Sequence, residues 1–372
     1  MLKLKQVLII IVLVKLLLGV ELALAQGDSI QTPGNWSIGL GLHTGFLIAH
    51  RPSIVYLQKD HVKEVEITLL KSCKGDKEWH KLYNYPLYGI GYRYLYFGND
   101  QQLGRGHSLY MQMQLPLTHS NRFRSTVRFG YGLGYVEKPF NTVDNYKNLA
   151  IGSKLNGTVL AGLQFRALAS KKLQIQGGVD FFHFSNGAAR IPNLGLNIPS
   201  INFGLSYFTG ASSKTERLPY QPIKRNKELS IYTAIGFKEK YPPDGPTYLV
   251  NIFNAQYHFP IGQKALLGGG GDLIIDRSLP VRLEEDSIKT RFIEGAIRGG
   301  LFGSAGLRIG KWDGMFQTGI YLYNKVKEDG NLYSRLAVRY HINRNFFACF
   351  NLKTHFAKAD YFEWGVGYIF RK

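Results

Sequence analysis

The stretch Leu173-Gln174-Ile175-Gln176-Gly177-Gly178-Val179-Asp180-Phe181 decides the fold class of this chain of 372 residues. Its odd positions are apolar or glycine, and its even positions are polar or glycine. A period of two residues is typical of a β-strand that has one apolar face. The same alternation returns at residues 201–207 and 362–368. The pattern therefore predicts β structure from about residue 35 to the C-terminus.

Alternating runs of this kind recur along the whole chain, about eight in each half, and end at Gly, Pro, Asn or Asp. Helical periodicity is weak, and one helical turn is expected within residues 144–154. The predicted strands cover residues 36–50, 62–71, 86–97, 108–116, 122–136, 155–167, 172–184 and 198–208, and then 228–238, 247–259, 264–276, 292–301, 304–324 (as two strands), 331–342, 345–355 and 361–371.

The composition excludes several classes of protein. Charged residues make up 19% of the chain and hydrophobic residues 45%, which is too apolar for a disordered chain and too polar for a helical membrane protein. The 42 glycines, with 23 Tyr and 23 Phe, favour β structure. Two cysteines, Cys73 and Cys349, cannot build a disulfide scaffold or a Cys-rich zinc site.

Residues 1–25 have the layout of a secretory signal peptide. Two lysines precede the apolar run 7–14, and Ala23-Leu24-Ala25 supplies a cleavage site. Lys15 interrupts the apolar segment, so it is too short for a transmembrane helix. Long alternating strands behind an export signal predict an all-β, antiparallel transmembrane β-barrel of the outer membrane, because a closed barrel pairs every backbone group within lipid. A periplasmic or surface-exposed β-sandwich is the alternative.

The chain divides into two similar parts. Residues 26–210 are predicted to form an eight-stranded barrel, and residues 228–372 form a degenerate repeat of about eight strands. The polar stretch 211–227 lacks alternation and contains two prolines, so it is predicted to be a linker. It could join two eight-stranded barrels or two halves of one larger barrel.

The candidate site lies after the seventh predicted strand. His183 and Ser185 are two residues apart, so they share a face of an extended strand, and their side chains start about 7 Å apart. A histidine that takes the serine proton makes an ordinary hydroxyl a nucleophile. Both residues continue the odd-numbered, lipid-facing series of their strand, and Asn197 has the same outward parity on the next strand. Three polar groups would therefore face lipid at the extracellular rim, which suits a hydrolase acting on a membrane lipid.

The segment His183-Phe184-Ser185-Asn186-Gly187, followed by Pro192-Asn193-Leu194-Gly195-Leu196-Asn197, resembles the signature of the outer-membrane lipid A 3-O-deacylases, the PagL-type acyloxyacyl hydrolase-like family. Residues 85–89 and 148–153 are similar to its long Bacteroidetes-type members. The resemblance covers about residues 30–210. It implies an eight-stranded barrel in the bacterial outer membrane that removes an ester-linked acyl chain from lipid A of lipopolysaccharide.

The resemblance also implies roles for individual residues. Ser185 would be the nucleophile and His183 the general base. The Asn186 side chain and the backbone N–H of Ala188 would form the oxyanion hole. The family pattern has a Glu as the third member of the triad, where this chain has Asn197. An amide oxygen can accept the histidine N–H but cannot neutralise the imidazolium, so a slower enzyme or an acid placed elsewhere is expected.

Other features predict little further chemistry. No cofactor is expected, and no Cys/His cluster has metal-ligand spacing, although loop oxygens such as those of Asn99 and Asp100 leave a Ca²⁺ site open. The net charge of +20 suits lipid A phosphates better than nucleic acid, because the chain is exported. His355-Phe356-Ala357-Lys358 echoes the first-half motif with Ala357 in place of the nucleophile, and is predicted to be non-catalytic. A non-enzymatic barrel, either a pore or a lipopolysaccharide-binding scaffold, is the alternative to an esterase.

Overall fold

The computed structural model describes residues 29–32, 34–118, 123–210, 213–216, 221–222, 224–355 and 358–370. The predicted signal peptide lies outside these residues. Within them, the strands are β1 (Ser29–Thr32), β2 (Trp36–Gly45), β3 (Val62–Ser72), β4 (Leu87–Tyr96), β5 (Arg105–Pro116), β6 (Phe123–Val136), β7 (Leu155–Leu168), β8 (Leu173–Ser185), β9 (Leu196–Thr209), β10 (Ser213–Glu216), β11 (Glu228–Glu239), β12 (Thr247–Ile261), β13 (Ala265–Asp276), β14 (Ile297–Ile309), β15 (Trp312–Tyr323), β16 (Leu332–His341), β17 (Phe346–His355) and β18 (Lys358–Phe370).

The strands close into two antiparallel barrels of eight strands each, β2–β9 and β11–β18. Closure comes from the pairing of β2 with β9 and of β11 with β18. The predicted all-β barrel fold is therefore confirmed, and the chain forms two separate barrels rather than one large one. The short strands β1 and β10 pair with each other as a separate two-stranded sheet, which the sequence pattern did not predict.

Helices occupy only short connections. They are α1 (Glu78–Leu82), α2 (Ser278–Glu285) and α3 (Phe292–Ala296), with 3₁₀ turns at Pro52–Leu57 and Lys327–Asp329. No helix in the described ranges is long and apolar enough to cross a membrane. The helical turn expected within residues 144–154 is absent there, where the chain forms non-helical turns instead.

The predicted strands 292–301 and 304–324 were misplaced. Residues 292–296 belong to α3, and β14 continues through Phe302-Gly303, where the pattern predicts a break between two strands. Both of these residues pair with β13 and β15 without a break. The actual turn lies at Gly310, whose φ of +62° is readily adopted by glycine.

Outward and inward residues alternate along the strands as a barrel wall requires. On β2 the outward side chains Ile38, Leu40 and Leu42 are all exposed, while His43 points into the lumen and is buried. Large apolar side chains likewise dominate the outer surface of both barrels. Such a surface requires an apolar environment, which the hydrocarbon of a bilayer supplies.

Ion pairs fill both lumina. In the first barrel, Arg93 donates to Glu64 at 2.9 Å and to Glu66 and Asp180, each at 3.1 Å. Arg128 also pairs with Glu66. Buried charges need such partners because the desolvation of an isolated ion is costly.

In the second barrel, Arg335 lies between Asp272 at 3.1 Å and Glu363 at 3.0 Å. These side chains are buried at the centre of each barrel. The interior of both barrels is therefore occupied by protein side chains rather than open as a channel.

The two barrels lie side by side, and contacts join them along their length. At one end, the Tyr83 hydroxyl donates to the Arg308 carbonyl at 2.9 Å. Midway, the rings of Tyr131 and Phe350 lie 4.9 Å apart. At the other end, which we call the upper rim, the connections 46–61, 97–104, 137–154 and 186–195 close the first barrel.

Apolar residues from these connections pack onto the lumen face at the upper rim. Leu47, Leu57 and Ile151 join Phe182 and Phe184 of β8 in one buried cluster. The cluster fixes which face of the C-terminal end of β8 points into the lumen. Because parity alternates, His183 and Ser185 must lie on the outward side of the same strand.

Candidate active site

The candidate site continues the lipid-facing stripe of β8. Val179 and Phe181 on this stripe are 52% and 39% exposed, and His183 and Ser185 follow with the same parity. Phe182 and Phe184 between them are completely buried in the lumen. The structure therefore places His183 and Ser185 at the upper rim, facing away from the barrel axis.

His183 and Asn197 are direct partners in the register between β8 and β9. The Nδ1 atom of His183 lies 2.7 Å from Oδ1 of Asn197. With a proton on Nδ1, the ring donates to the amide oxygen, and Nε2 keeps a lone pair that can accept a proton. Gly195 (φ +80°) allows the ring to lie close, because a Cβ there would come within 2.7 Å of its Cε1.

Ser185 is 4% exposed, and its hydroxyl is held by the β8–β9 turn. Its Oγ accepts from Nδ2 of Asn193 at 2.9 Å and from the Gly187 N–H at 3.1 Å. Among the hydrogen bonds of the described residues, none joins Ser185 to His183. The serine side chain must therefore turn toward the imidazole before a proton can pass between them.

The residues expected to bind an oxyanion lie in the same turn. The Asn186 backbone N–H donates to Oδ1 of Asn193 at 3.1 Å, and its side-chain Nδ2 donates to Oγ of Ser153 at 2.9 Å. Gly187 and Ala188 follow with φ of +63° and +59°. A left-handed alanine is uncommon, and strained backbone of this kind concentrates at functional sites.

The second barrel contacts this turn directly. Glu239 at the end of β11 has a fully buried carboxylate, which accepts from the Ile191 N–H at 2.6 Å and from Arg190 at 3.2 Å. Its own backbone N–H donates to the Ala188 carbonyl at 3.0 Å. Gly187 lies against Phe362 of β18, so closely that a Cβ on Gly187 would come within 2.4 Å of the ring. The β8–β9 turn of the first barrel is therefore held in place by Glu239 and Phe362 of the second barrel.

Sequence reasoning missed four residues that the fold brings to the site. Asn193 and Ser153 lie in the stretches that carry the family resemblance, so a role for their polar side chains could have been considered. His50, whose Nδ1 lies 3.1 Å from Nδ2 of Asn197, and Glu239 come from distant segments. No local pattern marks either of them.

The other candidates have structural contacts. Asn99 donates to the Leu57 carbonyl and accepts from the Gln102 N–H, and Asp100 pairs with Arg105 at 2.6 Å. The described residues contain no group of three His, Cys, Asp or Glu that could hold a metal ion. His355 is buried in the second lumen, 2.8 Å from the Tyr321 hydroxyl, while residues 356–357 lie outside the described residues.

Comparisons with solved structures find proteins of low similarity to this chain. The chain is 8% identical to CdiB from Acinetobacter baumannii (TM-score 0.19), over 90% of this chain and 60% of that chain. It is 13% identical to the translocator domain of the autotransporter NalP from Neisseria meningitidis (TM-score 0.21), over 90% and 88% of the two chains. It is 10% identical to an outer membrane channel from Pseudomonas putida F1 (TM-score 0.19), over 93% and 98%.

No curated protein matches the chain. Two protein-family models do match it. The model described as lipid A 3-O-deacylase (PagL) matches residues 63–206, and the model described as acyloxyacyl hydrolase, C-terminal domain (PagL_C) matches residues 227–372. The first match includes His183, Ser185 and Asn197, and the two matches together take in most of both barrels. The resemblance inferred from the sequence is thereby confirmed, and the chain belongs to the PagL-type family of lipid A deacylases.

Proposed function

We propose that this protein is an outer-membrane esterase that removes an ester-linked acyl chain from lipid A, with Ser185 as nucleophile and His183 as general base. One observation carries the proposal: the serine, the histidine and its amide partner lie on the outward face of the barrel wall at the upper rim, where His183 and Asn197 are half-buried and Ser185 is buried. A substrate that stays in the membrane reaches such a site from the side, without entering the lumen.

The first half of the reaction would acylate the serine. Ser185 turns toward His183, whose Nε2 takes the hydroxyl proton as Oγ attacks the ester carbonyl carbon. The carbonyl oxygen becomes an oxyanion, which the Asn186 side-chain amide and the Ala188 N–H stabilise by hydrogen bonds. Collapse breaks the bond to the sugar oxygen, which leaves with the proton from His183. The acyl chain remains on Ser185 as an ester.

The second half releases the fatty acid. His183 takes a proton from a water molecule, and the resulting hydroxide attacks the acyl carbonyl. The same two donors hold the second oxyanion. Collapse returns the proton from His183 to Oγ of Ser185 and frees the carboxylic acid. Asn197 orients the imidazole through both halves but carries no charge, so it stabilises the imidazolium less than a carboxylate does.

The remaining parts of the chain fit export to the outer membrane. We infer that residues 1–25 act as a signal peptide, that residues 26–210 and 228–372 form the two barrel domains, and that residues 211–227 link them. The exposed apolar belts suit a bilayer. The filled lumina argue against a pore as the main task. The net charge of +20 suits the phosphates of lipopolysaccharide.

The proposal is tested by mass spectrometry of lipid A from Gram-negative cells that express this chain or its Ser185→Ala variant. Equal amounts of folded protein in the outer membrane are the control. We expect the wild type alone to remove one acyl chain, and the mass lost identifies the chain. Lipid A that is unchanged by folded wild-type protein, or trimmed equally by Ser185→Ala, would refute it.

A further inference from the structure

The β2–β3 connection brings a second histidine to the site. Beyond the end of β2, the Phe46 N–H donates to the Pro199 carbonyl at 3.3 Å, and the Ile48 N–H donates to the Asn197 carbonyl at 2.8 Å. These bonds continue the pairing with β9 past the end of β2. The continued register places the exposed His50 ring beside the Asn197 side chain, with 3.1 Å between Nδ1 of the ring and Nδ2 of the amide.

An amide as the third member of a triad has a weakness that a carboxylate lacks. Either oxygen of a carboxylate can accept the proton on Nδ1 of a histidine. An amide can present its oxygen or its NH₂ group. If Asn197 presented its NH₂ group to Nδ1 of His183, the imidazole proton would have to sit on Nε2. The nitrogen that faces the serine could then take no proton, and the base would be lost.

We propose that His50 is the positioning residue that selects the working orientation of Asn197. Neutral His50 with its proton on Nε2 offers a lone pair at Nδ1, which accepts from the Asn197 NH₂ group. The amide oxygen then points to His183, which keeps its proton on Nδ1 and its lone pair on Nε2. His183, Asn197 and His50 thus form one chain of polar contacts across β8, β9 and the β2–β3 connection, which Ser185 joins when its side chain turns toward the imidazole. This role rests on the proposed function of the site.

The kinetic test is a double-mutant cycle between His50→Ala and Asn197→Glu, with lipid A as substrate. His50→Ala removes one neutral hydrogen bond, so we expect kcat to fall about fivefold to tenfold with little change in KM. In the Asn197→Glu background, we expect the same change to lower kcat by at most about twofold, because either oxygen of a carboxylate can accept the His183 proton. His50→Gln, whose amide oxygen can accept, should recover part of the loss.

His61→Ala is the matched control, because His61 is an exposed histidine of the same connection and its Nδ1 lies 3.3 Å from the Gly45 carbonyl. It should leave kcat unchanged. Equal losses for His50→Ala in both backgrounds would mean that His50 only supports the loop, and would overturn the proposal. No loss in the wild-type background would overturn it as well.

A spectroscopic measurement separates this proposal from the proposed function. The ¹⁵N NMR shifts of the His183 ring, assigned with His183→Ala, report which nitrogen carries the proton. We expect the Nδ1–H form in the wild-type protein and a larger share of the Nε2–H form in His50→Ala. A tautomer shift in a protein that does not deacylate lipid A would refute the esterase but keep the positioning role. An unchanged ring spectrum would refute the positioning role alone.

Discussion

Glu239→Ala tests whether the second barrel holds the candidate oxyanion turn. The substitution removes a fully buried carboxylate and leaves the Ile191 N–H and the Arg190 guanidinium without their acceptor. A hydrogen bond to a charged group contributes about 1.5–3 kcal/mol. The Arg190 side chain is 51% exposed, so its pair adds about 1 kcal/mol at most. The turn therefore loses about 2–4 kcal/mol of local support.

Only part of that loss reaches the reaction, because water can enter and satisfy the freed groups. At about 1.4 kcal/mol for each factor of ten, we expect kcat for lipid A deacylation to fall about 10- to 100-fold. The value of KM should change little, since the lipid-facing stripe below the turn is untouched. Glu239→Gln keeps one acceptor oxygen, so its kcat should lie between those of the wild type and Glu239→Ala.

The assay is deacylation by purified protein in lipid vesicles, with barrel folding followed by the heat-dependent shift on a denaturing gel. Glu328→Ala is the matched control: its carboxylate belongs to the same barrel, is 67% exposed and pairs with Arg282. Wild-type kcat in Glu239→Ala would refute the reasoning. A loss of activity that matches a loss of folded barrel would also refute it, because the effect would then be global.

Three further predictions follow from contacts already described. Asn193→Ala removes the side-chain oxygen that accepts from the Asn186 N–H and so loosens the turn with the candidate oxyanion donors; kcat should fall by about tenfold in the same assay while the barrels stay folded. Arg93→Met leaves three lumen carboxylates with fewer partners and should lower the free energy of unfolding by about 3–5 kcal/mol. By contrast, Arg105→Met on the surface should cost less than about 1 kcal/mol, and urea titrations measure both. In planar bilayers, folded protein should give no stepwise conductance, because side chains fill both lumina; steady open-channel currents would contradict this.

The sequence predicted those features that depend on local periodicity. The parity of residues 173–181 was enough to place His183 and Ser185 on the outward face, because side chains alternate along any strand. The same rule failed at β14, where small residues such as Gly303 and Ser304 occupy both faces, so polarity does not alternate clearly and a break was predicted at residues 302–303. Short helices such as α3 gave no readable period over five residues.

Features that depend on contacts between distant segments could not be predicted. Eight strands per half are compatible with one barrel or two, and only the pairing of β2 with β9 and of β11 with β18 decides between them. His50 reaches Asn197 through loop backbone bonds across 147 residues of sequence. Glu239 reaches the turn from another barrel. Neither residue type is unusual in a loop or at a strand end, so neither stands out in the sequence.

The most direct test of the central claim is covalent labelling of purified, folded protein with a long-chain alkyl fluorophosphonate, followed by peptide mapping by mass spectrometry. Such a reagent phosphonylates an activated serine and releases fluoride. We predict a single adduct on Ser185, absent in Ser185→Ala and formed far more slowly in His183→Ala. An unlabelled Ser185 in protein that still deacylates lipid A, or labelling at an unchanged rate in His183→Ala, would contradict the assignment of this serine and histidine as nucleophile and base.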